Sequence, residues 1–151
     1  MTRFAPHMEA ALAEARAAFG RAETPVGCVI VDPQTGRVVA KAGNRTRELH
    51  DPTAHAEMLA IRAACAELGS ERLSGLDLYV TLEPCAMCAA AIAAARISRL
   101  LYGAPDPKSG GVEHGARVFV HRQTHHKPEV YGGVAEREAS ALLRAFFNER
   151  R

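Results

Sequence analysis

Four residues in two short segments carry the chemistry that this sequence offers most clearly. His55 and Glu57 lie two positions apart, and Cys85 and Cys88 form a Cys-x-x-Cys pair. Imidazole nitrogen and thiolate sulfur are ligands that zinc prefers in proteins. Three protein ligands with an open fourth position are typical of a catalytic zinc site, whereas a structural site is closed by four ligands. We therefore expect His55, Cys85 and Cys88 to bind one Zn²⁺ ion per subunit.

Glu57 is the residue that favours catalysis over a structural role. A carboxylate beside a zinc-activated water accepts a proton from it and passes the proton on to a substrate. The order His-x-Glu followed by Pro-Cys-x-x-Cys is typical of zinc-dependent nucleobase deaminases. Two alternatives remain open from the residues alone: a structural zinc site with Cys28 or Cys65 as the fourth ligand, and a redox-active Cys-x-x-Cys pair.

The spacing of these residues restricts where they can lie in the secondary-structure elements that carry them. Cys85 and Cys88 are three positions apart, so they share one side of a helix near its N-terminus, where the helix dipole favours thiolate. His55 and Glu57 share no helix face, so they converge on a metal only if their helix points its N-terminal end at the ion. Each site segment is therefore expected at a helix start.

Hydrophobic periodicity and breaker residues predict the elements around the site. Asp51 as N-cap and Pro52 as first helical residue predict the start of one helix, and Glu83-Pro84 predicts the start of the next. Helices alternate with strands, which predicts an α/β sandwich with a mixed sheet. The expected helices are 6–20, 51–68, 83–95 and 135–149, and the expected strands are 26–31, 37–42, 76–82, 97–102 and 129–134.

Length and composition limit the class of protein. The chain has 151 residues, 48% hydrophobic and 24% charged, which fits one globular domain over residues 1–151 and excludes disorder. It has neither an apolar run of about 18 residues nor the apolar core of a signal peptide, so we expect a cytoplasmic protein without a membrane partner. The net charge of +2 neither demands nor excludes a nucleic-acid partner.

Six segments match a known family along essentially the whole chain. They are Pro25-Val-Gly-Cys-Val-Ile-Val, Gly43-Asn-Arg-Thr, Asp51-Pro-Thr-Ala-His-Ala-Glu, Leu78-Tyr-Val-Thr-Leu-Glu-Pro-Cys-Ala-Met-Cys, Gly103-Ala-Pro-Asp-Pro-Lys-Ser-Gly and Ala141-Leu-Leu-Arg-Ala-Phe-Phe-Asn-Glu-Arg-Arg. With them the sequence resembles the cytidine/deoxycytidylate deaminase superfamily and, within it, the bacterial tRNA-specific adenosine deaminases. The segment at Asp51 is shared with guanine deaminases, whereas Thr-Leu-Glu-Pro-Cys and the segment at Gly103 favour the tRNA enzymes.

The resemblance implies a fold, a reaction and partners. The fold would be a cytidine-deaminase-like, three-layer α/β/α sandwich with a five-stranded mixed sheet. The reaction would convert the wobble adenosine of a tRNA anticodon loop to inosine, with the loop bound across a homodimer. Asn44 would hydrogen-bond the target base, and Asp106 would contact the ribose or backbone beside it. The other substrate contacts implied are Lys108 and Ser109 along the RNA path, and Phe147, Arg150 and Arg151 on the C-terminal helix.

Several of these residues also have simpler explanations. Asn44 would suit a left-handed turn, Asp106 would form a plain turn before proline, and Phe147 would extend the apolar stripe of the last helix. Segment 121–127, which contains three histidines, would line the RNA path, form a solvated loop or hold a second metal. For the whole chain, the alternatives are a deaminase of a free nucleobase or nucleoside such as guanine or cytosine, and a non-catalytic RNA-binding zinc protein.

Overall fold

The structure is a computed structural model that describes residues 5–150, with side chains from residue 6 onward. No helix within this described part is long and apolar enough to cross a membrane. A short 3₁₀ helix, Val118–Val120, lies between the fourth and fifth strands. The other elements described are α1 (Ala5–Gly20), β1 (Gly27–Val31), β2 (Val38–Gly43), α2 (Ala56–Leu68), β3 (Asp77–Leu82), α3 (Ala86–Ala94), β4 (Arg99–Ala104), β5 (Glu129–Tyr131) and α4 (Glu136–Glu149).

The five strands form one mixed sheet in the order β2-β1-β3-β4-β5. β1 pairs antiparallel with both β2 and β3, whereas β3 pairs parallel with β4 and β4 parallel with β5. The β3-to-β4 connection contains α3, because parallel neighbours need a crossover of this kind. This sheet confirms the mixed five-stranded prediction.

Helices cover both faces of the sheet. Alternating side chains of β1 show the division, since Cys28 and Ile30 pack into the core beneath α2 and α3, while Val29 and Val31 pack into the core beneath α1 and α4. Each face therefore has its own layer of helices, and the three-layer α/β/α prediction is confirmed.

The segments that matter for function meet at one edge of the sheet. β3 and β4 are parallel, so the chain leaves both strands at their shared C-terminal edge, through residues 83–85 and 105–109. β2 ends at this edge before Asn44, and β1 begins there after residues 24–26, because β1 runs antiparallel to both neighbours. Sites in α/β sheets usually lie at such an edge.

Two helix starts differ from the sequence prediction. α2 begins at Ala56 rather than at residue 51, because the Asp51 carboxylate accepts hydrogen bonds from both the backbone N–H and the hydroxyl of Thr53 and so closes a turn. α3 begins at Ala86, so Glu83 and Pro84 precede it. The predictions of Asp51 as an N-cap and of Pro52 and Pro84 as first-turn residues were therefore wrong, although both helices exist as expected.

Candidate active site

The N-termini of α2 and α3 point at one another, and a candidate metal ligand occupies each N-cap. His55 caps α2 with φ −71° and ψ 153°, and Cys85 caps α3 with φ −70° and ψ 175°. Neither side chain makes the capping hydrogen bond that an N-cap side chain usually makes to its own helix. Their nitrogen and sulfur atoms are consequently available to bind a shared ion.

The donor atoms have the geometry of a zinc site. Nδ1 of His55 lies 3.6 Å from Sγ of Cys85 and 3.5 Å from Sγ of Cys88. Zn–S and Zn–N bonds of about 2.3 and 2.0 Å, set at a tetrahedral angle, place the two donors about 3.5 Å apart. Within residues 5–150, the metal-ligand cluster consists of these three side chains. Cys28 and Cys65 are outside it, which contradicts the closed, four-ligand alternative.

The two thiols differ in protonation, and the thiol of Cys85 is the one already suited to metal binding. A hydrogen bond from Cys88, together with one from His55, lowers the pKa of Cys85 to about 4. The same hydrogen bond to Cys85, together with burial, raises the pKa of Cys88 above its ordinary value. The pKa of His55 is raised by its hydrogen bond to Cys85. Because a coordinating thiol is deprotonated outright, a bound zinc ion replaces the proton that Cys88 carries.

Glu57 lies beside these ligands in the first turn of α2, and its side chain is buried, with 3% of the residue exposed. Burial raises the pKa of Glu57 to about 7, against the lowering effect of its backbone hydrogen bond and of the nearby His55. A group that accepts and donates protons works best when its pKa is close to the working pH. The position and pKa of Glu57 therefore suit the proton-transfer role predicted for it.

A pocket of about 220 Å³ opens over His55, Cys85 and Glu57. Asn44 is buried at its wall, donates a hydrogen bond to the hydroxyl of Thr46 at 3.3 Å, and does not have the left-handed backbone that the turn alternative required. The pocket is smaller than the ~300–1,000 Å³ typical of small-molecule sites, so it suits a single base. Its lining comprises Thr24, Val26, Asn44, Thr46, His55, Glu57, Leu82, Glu83, Cys85, Asp106 and Ser109.

One wall belongs to residues 105–115, which we call the substrate loop. Asp106 and Ser109 line the pocket, whereas Lys108 is exposed beyond it. Oδ1 of Asp106 accepts hydrogen bonds from the backbone N–H groups of Lys108 and Ser109, at 3.2 and 2.9 Å. Asp106 therefore forms a turn, as the plain-turn explanation expected, and it also lines the pocket.

The C-terminal helix contributes no lining residue among those described. Phe146 is buried against Phe19, but Phe147 is 53% exposed, so the core-packing explanation of Phe147 is wrong. Arg150 stacks on the Phe146 ring, 3.9 Å from its centroid, and donates a hydrogen bond to the carbonyl of Ala22. Arg151 lies outside the described residues.

Segment 121–127 is a mainly exposed loop on the described surface. Nε2 of His121 lies 2.7 Å from the carbonyl oxygen of Ala116, and Nε2 of His126 lies 2.7 Å from that of Ile97. Two of its three histidines are therefore used in backbone contacts. The described part of the chain places none of them in a metal-ligand cluster, which argues against a second metal site.

Two buried carboxylates at the rim of the site were missed by sequence reasoning. Glu23 accepts the backbone N–H groups of Arg47 and Glu48, at 3.2 and 2.7 Å, and so fixes the loop after Asn44. Glu83 accepts several N–H groups of the substrate loop. The only available signal for Glu83 was its place in the Thr-Leu-Glu-Pro-Cys segment.

Comparison with known proteins is consistent with this geometry. Residues 1–104 match the family described as the cytidine and deoxycytidylate deaminase zinc-binding region, and the chain belongs to this family of zinc-dependent deaminases. Within the family it is similar to the tRNA-specific adenosine deaminase of Agrobacterium fabrum, with 61% identity over 144 residues that cover 95% of this chain and 93% of the relative.

Two solved structures extend the comparison. One comes from a study of A-to-I editing by tRNA:A34 deaminases at the wobble position of transfer RNA. It has 61% identity and a TM-score of 0.87, covering 90% of this chain and 97% of the other. The second is the guanine deaminase of Bacillus subtilis, with 37% identity and a TM-score of 0.64, covering 70% of this chain and 66% of the other.

Proposed function

We propose that this protein is a zinc-dependent hydrolase that converts adenosine to inosine at the wobble position of a tRNA anticodon loop. The observation that carries the proposal is the open three-ligand cluster beside a buried carboxylate, at the bottom of a base-sized pocket. The 61% identity to a tRNA-specific adenosine deaminase supports the choice of substrate.

His55, Cys85 and Cys88 would hold the zinc ion, which would supply an activated water for attack on C6 of adenine. Glu57 accepts a proton from the attacking water and delivers it to the ring nitrogen N1. Glu57 then takes the proton of the new hydroxyl group on C6 and gives it to the departing amine, so that adenosine and water give inosine and ammonia. Burial of Glu57 keeps bulk water away from this proton transfer.

The substrate side of the proposal rests on the pocket walls. Asn44 hydrogen-bonds the target base, while Asp106 and Ser109 contact the sugar and backbone that stay outside. A pocket of about 220 Å³ admits the base only after it leaves its stack, and an anticodon loop offers bases that are already unpaired. This size fits one base, and the similarity to a tRNA-specific adenosine deaminase favours a base presented by a loop over a free base.

The remaining contacts of the proposal are to other nucleotides of the loop. Lys108, Phe147, Arg150 and Arg151 meet the flanking nucleotides. We also propose that the chain acts in the cytoplasm as one domain and as a homodimer. The exposed small residues Ala90 and Ala94 on α3 would let a second subunit approach closely. Sedimentation of the wild type and of Ala94→Arg tests the dimer, which the variant should dissociate.

The experiment that tests the function is deamination by purified protein of an unmodified tRNA with adenosine at the wobble position. Guanine, cytosine, adenosine and cytidine are assayed in parallel. We expect inosine at the wobble position and no change in the free compounds. Turnover of guanine or cytosine with unchanged tRNA would replace the proposal by the free-base alternative. A protein that binds tRNA and deaminates nothing would be the non-catalytic RNA-binding alternative.

A further inference from the structure

We propose that Glu83 is the positioning residue of the substrate loop, and that it fixes this loop relative to the zinc ligand Cys85. The inference deepens the proposed function and rests on it for the identity of the substrate. Glu83 does not touch the reacting atoms in this proposal. It acts through the loop that carries Asp106 and Ser109.

The carboxylate of Glu83 is a buried hub of hydrogen bonds, with 2% of the residue exposed. Oε1 accepts the backbone N–H of Asp106 at 3.0 Å and lies 2.7 Å from Nδ1 of His114. Oε2 accepts the backbone N–H groups of Val112, Glu113 and His114, at 3.2, 2.9 and 3.0 Å. One side chain thereby satisfies donors at both ends of the substrate loop.

The loop passes so close to this carboxylate and to the start of α3 that a side chain would clash at two of its glycines. A Cβ on Gly110 would lie 2.6 Å from Oε2 of Glu83, and a Cβ on Gly111 would lie 2.5 Å from the backbone nitrogen of Ala86. The N–H of Gly111 also donates to the carbonyl of Pro84 at 2.8 Å. The loop therefore lies directly against the segment that leads into α3.

This arrangement links two parts of the site that are distant in sequence. Cys85 follows Glu83 by two residues, while Asp106 lies beyond the whole of α3 and β4. Ionised acceptors form hydrogen bonds about twice as strong as neutral ones, so a carboxylate holds these N–H groups more firmly than an amide would. A displacement of about 1 Å in a substrate-positioning group can cost about 100-fold in rate.

The test compares Glu83→Gln with Asp77→Asn. The amide of glutamine keeps the size of the side chain but turns an NH₂ group towards the loop N–H groups. Asp77 is the matched control, because it is also a buried carboxylate. It lies at the start of β3, away from the substrate loop, and pairs with Arg99. Both zinc-loaded variants are assayed for zinc content, kcat and KM on the wobble-adenosine tRNA, and amide hydrogen exchange.

We expect Glu83→Gln to retain one zinc, to lower kcat/KM about 100-fold, and to speed exchange at the amides of Val112, Glu113 and His114. Asp77→Asn should leave kcat/KM and these amides unchanged. Unaltered exchange at the three amides, or unaltered kcat/KM, overturns the proposal. If Glu83→Gln does not fold, His114→Ala removes one contact of the same hub and must show a smaller change in the same direction.

A double-mutant cycle separates positioning from general destabilisation. If Glu83 acts through Asp106, Glu83→Gln costs much less in kcat/KM when Asp106 is already alanine. Fully additive losses overturn the proposal. Hydrogen exchange needs no substrate, so it decides the role of Glu83 even if the tRNA assay shows that the proposed function is wrong.

Discussion

Glu57 is buried beside three ligand atoms, and its pKa of about 7 suits a group that both accepts and donates a proton. Glu57→Gln keeps the shape of this side chain and removes its ability to shuttle protons. We expect a zinc content equal to that of the wild type and a fall in kcat of about 10²–10⁴-fold, since general acid–base catalysis contributes about that much. Metal analysis and single-turnover deamination check this, and a variant with wild-type kcat would remove Glu57 from the mechanism.

The ligand set makes a separate prediction about Cys88. Cys88→Ala leaves only His55 and Cys85, too few to hold zinc firmly, so the purified variant should contain much less than one zinc per chain. Because metal binding stabilises the folded state, its melting temperature should fall, and a chelator should lower that of the wild type in the same way. Cys65→Ala is the matched control, since Cys65 lies outside the ligand cluster. Stoichiometric zinc in Cys88→Ala would refute the assignment.

The ligand cluster could be predicted at this scale because residue type and spacing nearly determine it. Its three donors converge as expected. The roles of Glu57 and of the substrate contacts stay predictions. The burial of Glu23 and Glu83 could not be foreseen, because a glutamate that receives N–H groups from a distant loop looks the same in sequence as one exposed to solvent.

At the scale of the secondary-structure elements, the sequence predicted that α2 and α3 exist but not the residues at which they begin. Asp51 and Glu83, where the two helices were expected to start, lie before them, because both carboxylates accept hydrogen bonds elsewhere. His55 and Cys85 occupy the N-caps instead. Cap preferences favour side chains that bond their own helix, whereas a metal site needs side chains that do not. A helix start used for ligation therefore departs from the usual cap pattern.

Glu83, in the connection between β3 and α3, leads to a prediction of how the stability of the fold depends on pH. Burial would raise the pKa of the Glu83 carboxyl, but the hydrogen bonds from Asp106, His114 and Glu113 outweigh it and hold this pKa below its usual value. A lowered folded-state pKa gives stability that is present above the unfolded pKa of about 4.3 and is lost as the pH falls through the folded value. Glu83→Gln should therefore reduce the free energy of unfolding by about 2–3 kcal/mol at pH 7 and by clearly less at acid pH.

Urea unfolding of wild type and variant at several pH values measures this difference. Protonation of the zinc ligands affects both proteins alike, so the difference between them isolates Glu83. Glu67→Gln serves as the control, because its exposed ion pair with Arg37 should contribute no more than about 1 kcal/mol at any pH. A gap between wild type and Glu83→Gln that stays constant with pH would contradict the prediction.

At the scale of the whole molecule, the alternation of strands and helices predicted the layers of the sandwich. The order of the strands in the sheet decides which loops meet at one edge, and four loops meet at the edge that carries the site. The sequence does not state that β1 lies between β2 and β3, and this order brings Asn44 and Asp106 to one pocket. The family resemblance implied that both residues contact the substrate, but it did not predict the strand order. It also implied RNA contacts on α4, which lies outside the pocket lining and so needs a test at the molecular surface.

That test is the salt dependence of tRNA binding. A protein that neutralises phosphates loses affinity as salt rises, because its binding releases counterions. If Arg150 contacts one phosphate, Arg150→Ala should weaken tRNA binding and reduce the slope of log K against log salt by about 1. Arg37→Ala is the matched control, since Arg37 lies on the β1–β2 turn at the sheet edge opposite the pocket and should leave the slope unchanged. Arg150 also stacks on Phe146, so a weaker affinity with an unchanged slope would mean that this arginine only secures the helix end.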